Sequence, residues 1–84
     1  MHIEWIIIGK GGDIVEADTA EAAHTALCGA VRDAYKDVSY DRLTDVLRPV
    51  YGLRLAMVTD GRTAVEQGRE WTAQAGGILV RLSP

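Results

Sequence analysis

The chain reads as an α/β (α+β) protein: a two-layer sandwich in which a four-stranded mixed sheet carries three helices, in the order ββααβαβ. Three observations predict this. Runs dense in β-branched residues stand near both ends, at 3–8 and 78–82. Apolar residues recur at three- and four-residue spacing over 20–36 and again over 63–75, which is helical periodicity. Residues 53–58, Leu-Arg-Leu-Ala-Met-Val, alternate in a way that suits a third strand.

The first strand holds Ile3, Trp5 and Ile7 on one side and Glu4, Ile6 and Ile8 on the other. Gly9, Gly11 and Gly12 then permit a tight turn, and 13–17 forms the return strand of a hairpin. Asp18 or Thr19 caps the next helix, with Glu21 placed for a capping box. Over 20–36 the residues Ala23, Ala26, Leu27, Ala30, Val31, Ala34 and Tyr35 share one stripe, so this helix offers a mostly small-residue face for close packing. Ser39 caps a shorter helix over 40–47, and Pro49 should stop it, because proline lacks the amide that a helix interior requires. Gly52 releases the chain into the strand at 53–58, with Leu53, Leu55 and Met57 toward the core and Arg54, Ala56 and Val58 on the reverse side. A third helix follows to Ala75, in which Gly68 implies a close backbone neighbour, and Gly76 and Gly77 end it. The last strand, 78–82, pairs in parallel with 53–58 through a right-handed crossover.

The 84 residues, 48% hydrophobic and 25% charged, suffice for one compact domain over 1–84. Twelve acidic side chains against nine basic ones argue against direct nucleic-acid binding, which relies on Lys and Arg to neutralise phosphates. The acidic excess concentrates in the first third, where Lys10 alone faces Glu4, Asp13, Glu16, Asp18 and Glu21. Cys28 is the single cysteine, and the apolar run at 3–8 is too short to span a bilayer and lacks basic flanks. These features point to a cytoplasmic protein with no membrane partner.

No complete catalytic set is present, and an enzyme is not expected. The Gly9–Gly12 turn has a lysine and free amides but lacks P-loop spacing and a following helix. His24 and Cys28, four apart on one helix, are two potential ligands where zinc needs three or four, so neither a metal nor another cofactor is expected. Trp5 and Trp71 read as core anchors whose indole N–H groups reach rim partners. The stretch 59–63 follows the predicted strand at 53–58 and opens the predicted third helix. That makes Asp60, Gly61, Arg62 and Thr63 the candidates for a small-ligand or anion site in a regulatory domain. It faintly resembles the loop of haloacid-dehalogenase phosphatases, but Val58 stands where the nucleophilic aspartate would be and the chain is too short for that fold.

The leading expectation is a non-catalytic protein-interaction module that binds another protein or a second copy of itself. Its motive is the reverse side of the sheet, where Ile6, Ile8, Ala56, Val58 and Leu79 put more apolar area than a solvated face needs beside Glu4, Arg54 and Arg81, charges placed to pair across strands. Asp13, Glu16, Asp18 and Glu21 would complement a basic surface on the partner. In length and element order the chain is similar to short accessory proteins of phages and mobile elements, including anti-CRISPR and other host-targeting inhibitors. That likeness implies an inhibitor of a host protein and rests on no single motif.

Overall fold

A computed structural model describes every residue from Met1 to Pro84. Its elements are β1 (His2–Ile7), β2 (Gly11–Glu16), α1 (Ala20–Ala34), α2 (Tyr40–Gly52), α3 (Arg54–Ala56), a π-helical turn (Met57–Gly61), α4 (Arg62–Glu66), β3 (Trp71–Ala75) and β4 (Ile78–Ser83). The strands form one sheet in the order β2-β1-β4-β3, and every neighbouring pair is antiparallel. The fold is α+β with four strands, as expected. The sheet is antiparallel where a mixed one was expected, and the order is ββααββ, with two full-length helices where three were expected.

The first hairpin forms where the glycines predict it. The Lys10 amide donates to the Ile7 carbonyl at 2.8 Å, and Gly9 supplies the positive φ of 81° at the third turn position. Gly12 is demanded by space: a Cβ there would lie 2.3 Å from the Trp5 carbonyl oxygen. Thr19 is the cap of α1, its hydroxyl accepting from the Ala22 amide at 3.0 Å. Ala20, Ala23, Leu27, Cys28 and Val31 then bury the small-residue face against the sheet, whose inner side carries Ile3, Trp5, Ile7, Ile78, Val80 and Leu82.

Ser39 caps α2 as expected, but the helix runs through Pro49 to Gly52 instead of stopping at 47. Proline removes one amide and leaves the exposed side of the last turn short of a bond. Tertiary contacts hold that turn regardless: Val50 is fully buried, and the His24 side chain of α1 donates from Nε2 to the Val50 carbonyl at 2.9 Å.

The largest corrections fall between 53 and 75. The segment 53–58 is helical, so its buried positions follow a helical period: Met57 is fully buried, Leu53 half-buried, and Leu55 is 72% exposed. Gly61 and Ala64 continue that inner stripe. Gly61 matters for packing, since a Cβ would sit 2.9 Å from Leu82 Cδ1 and 3.4 Å from the Trp71 ring. The helical run ends at Glu66 and not at 75. Gly68, at φ 75°, takes the left-handed position after the helix, with its amide bonded to the Val65 carbonyl and the Arg69 amide to the Ala64 carbonyl. This is a Schellman cap. Gly68 has open space beside it, so its backbone angle and not a close neighbour explains it. Gly76 and Gly77 join β3 to β4 instead of ending a helix. The positive φ of 59° at Gly76 suits a two-residue hairpin turn, and no crossover exists.

Candidate interaction surface

All the helices lie on the inner side of the sheet, so its outer face meets solvent. Alternation brings His2, Glu4 and Ile6 of β1, Ile14 and Glu16 of β2, Leu79 and Arg81 of β4, and Thr72 and Gln74 of β3 onto this face. Its apolar members are exposed: Ile6 by 49%, Ile14 by 52% and Leu79 by 41%, with Ile8 in the adjoining turn at 62%. Ile6 lies directly across from Leu79 in the β1–β4 register, and the Ile8 amide bonds to the Gly77 carbonyl at 2.9 Å, so the three form one patch where the hairpin turns meet. Ile14, opposite Glu4, sits diagonally from Ile6 and extends the patch to the β2 edge. A shallow depression of about 490 Å³ lies on this side between Glu4, Ile6, Thr72, Gln74, Leu79 and Arg81.

The charges on the face pair as the register requires. Arg81 stands opposite Glu4 and holds it at 2.6 Å, with Glu70 at 3.9 Å on its other side. Arg54, expected to join this pairing, lies on the helical side, as do Ala56 and Val58. These three leave the surface because their segment is not a strand. Ile14 enters it, a residue that alternation within the return strand could have shown. Of the four acidic candidates, Glu16 lies on the outer face, Asp13 points to the opposite side of β2, Asp18 is exposed before α1, and Glu21 is engaged by Arg62.

The stretch 59–63 does not form the expected site. Asp60 and Gly61 lie inside the π-helical turn, and Arg62 and Thr63 continue the same run of helix into α4, so no helix begins there with free amides. Thr59 bonds back to the Leu55 carbonyl at 2.6 Å, Arg62 is paired with Glu21, and Gly61 is filled against Leu82 and Trp71.

His24, Cys28 and Lys10 have structural partners. His24 and Cys28 are both buried, with sulfur 3.7 Å from His24 Nδ1, and no third metal-binding side chain joins them. Burial pushes the Cys28 thiol above its ordinary pKa, against the opposing pull of Arg32. Lys10, in the glycine turn, lies 5.0 Å over the Tyr35 ring and ties the hairpin to the end of α1. Trp5 is a core anchor as expected, whereas Trp71 is half-buried on β3 and not on a helix. A groove of about 360 Å³, with Arg32, Tyr40, Leu43, Arg48 and Tyr51 among its lining residues, runs along the outer side of the helices. The groove exists because α2 continues past Pro49 and brings Tyr51 beside Arg32.

No helix is long and apolar enough to cross a membrane. No protein-family model matches the chain, and no curated protein or solved structure matches it either.

Proposed function

We infer that the protein is a non-catalytic interaction module that binds another protein through the outer face of its sheet. The observation that carries this reading is the patch of Ile6, Ile8, Ile14 and Leu79, left in solvent by a chain whose helices all pack on the opposite side. Contiguous exposed apolar residues rimmed by charge mark docking surfaces more often than scattered ones do. The rim favours a partner of different chemistry over a second copy stacked face to face. Glu4, Glu16 and Glu70 surround the patch with Arg81 as their only cation, so two copies would oppose acidic rims. The complementary partner carries an apolar ridge flanked by Lys and Arg, which is the character of a surface that also receives nucleic acid. An inhibitor that occupies such a surface on a host protein, in the manner of an anti-CRISPR protein, fits this chemistry. The element order behind that likeness is not the one observed, so it rests now on size and on the acidic rim.

Affinity capture from a candidate host with four baits, the wild type and three single variants, tests the reading. A protein retained by the wild type, lost with Leu79→Asp and Ile6→Asp, and bound more slowly by Glu16→Lys supports it. Retention unchanged in both apolar variants, or no specific capture by the wild type, overturns it.

A further inference from the structure

The two edges of the sheet differ in a way that assigns them different fates. At the β2 edge the Asp13 carboxylate accepts from the Ile14 amide at 2.8 Å, filling a position that a docking strand would need, and Asp13 and Glu16 add charge beside it. Such features are how proteins blunt an open edge. The β3 edge has none of them. Trp71-Thr72-Ala73-Gln74-Ala75 contains no charge, no proline and no glycine, and no hydrogen bond from a turn, loop or side chain engages the backbone of Thr72 or Gln74.

The hairpin turn sets which backbone groups are free. In a hairpin closed by two residues, the pair flanking the turn is hydrogen-bonded, and bonded pairs recur at every second residue. Ala75, Ala73 and Trp71 therefore turn their amides and carbonyls toward Ile78, Val80 and Leu82 of β4. Thr72 and Gln74 turn theirs outward.

We propose that the protein self-associates through this edge, with β3 pairing antiparallel to β3 of a second copy about a two-fold axis at Ala73. In that register Thr72 meets Gln74 of the second copy, and Gln74 meets Thr72. All four free amides and carbonyls are then satisfied across the axis. Ala73 faces Ala73 as a non-bonded pair, the closest approach in an antiparallel ladder, and its side chain is small enough for it. Trp71, half-buried in one copy, gains Ala75 of the other as a neighbour on the inner face. The flanking Arg69 and Glu70 fall opposite Gly77 and Gly76, so no like charges oppose each other. Because only one edge is open, the pairing closes as a dimer and does not propagate. The pairing uses backbone groups at the β3 rim, whereas the proposed docking patch centres on Ile6, Ile8, Ile14 and Leu79, so failure of the pairing would leave the proposed docking role standing.

Sedimentation velocity on the full chain, from low micromolar to millimolar concentration, tests the proposal. The wild type is expected to pass from monomer to dimer, while Thr72→Lys with Gln74→Lys stays monomeric at every concentration. Mixing that variant with Thr72→Glu/Gln74→Glu should restore the dimer mass, which a merely misfolded variant could not do. Amide exchange at Thr72 and Gln74 should slow with concentration, while that of Ile14 does not change. A wild type that remains monomeric throughout overturns the proposal. So does a dimer indifferent to the lysine pair, or one abolished by Leu79→Asp instead.

Discussion

Glycines at 12, 61 and 68 look alike in the sequence and differ in what they do. Gly12 avoids a backbone oxygen, Gly61 lets a helix approach Leu82 and Trp71, and Gly68 supplies a left-handed angle with space around it. Gly12→Ala should therefore cost about 2–3 kcal/mol, because neither strand of the hairpin can yield without losing its register. Gly68→Ala should cost only about 1 kcal/mol, the strain of a left-handed alanine. Chemical denaturation of the two variants checks the order. Cys28 also gains its character from its surroundings. Burial raises its thiol pKa above the ordinary 9.0, with Arg32 opposing, so the folded state prefers the neutral thiol. The resulting stabilisation is intact below the ordinary value and is lost as pH rises through the folded one, since the unfolded chain ionises first. The stability of the wild type relative to Cys28→Ala should fall on the alkaline side of pH 9.0, measured as the difference in Tm between the two across pH.

Among the elements, α2 is the clearest case of tertiary contacts overriding a local rule. Pro49 predicts a stop, yet buried Val50 and the His24 hydrogen bond hold one more turn against α1. Pro49→Ala returns the missing amide and removes the ring's clash, a gain of about 3 kcal/mol that is offset by about 1 kcal/mol from the freer unfolded chain. A net stabilisation of about 2 kcal/mol by urea denaturation is the expected outcome, and helicity should rise slightly. A decrease in stability would show that proline's fixed φ is needed there. The helical run from Arg54 to Glu66 teaches the converse lesson. Leu53, Leu55 and Met57 fit a strand face, while Leu53, Met57, Gly61 and Ala64 fit a helix face. A six-residue window holds too little periodicity to choose between them. Packing chose, because the π-helical turn lies against α1 and β3 and buries Met57 completely.

At the level of the whole molecule, two helices and a short helical run cannot cover both sides of a four-stranded sheet, and one side stays open. Its Ile6 and Leu79 are there without supporting the core. Ile6→Thr with Leu79→Thr should leave stability within about 0.5 kcal/mol of the wild type, as for other surface substitutions, and lower the binding of a hydrophobic dye. A large loss of stability would mean that the face is needed for folding and not for docking. The ion pair of Glu4 and Arg81, exposed and worth roughly 0.2–1 kcal/mol, sets register and charge on that face more than it stabilises the fold.

The first hairpin, α1 with its small-residue stripe, the Ser39 cap, the last strand and the apolar reverse side could all be read from residue order. Each rests on local information: alternation, a cap, or a glycine that a turn demands. The conformation of 53–75, the antiparallel partner of β4 and the identity of the open edge were decided only when the chain packed. Thr72-Ala73-Gln74-Ala75 is rich in the helix formers Ala and Gln, and pairing with Leu79, Val80 and Arg81 overrode that local preference and made it a strand. The same pairing moved Arg54, Ala56 and Val58 off the sheet and left β3 at its rim, since burial depends on which neighbour arrives and no short window contains that neighbour.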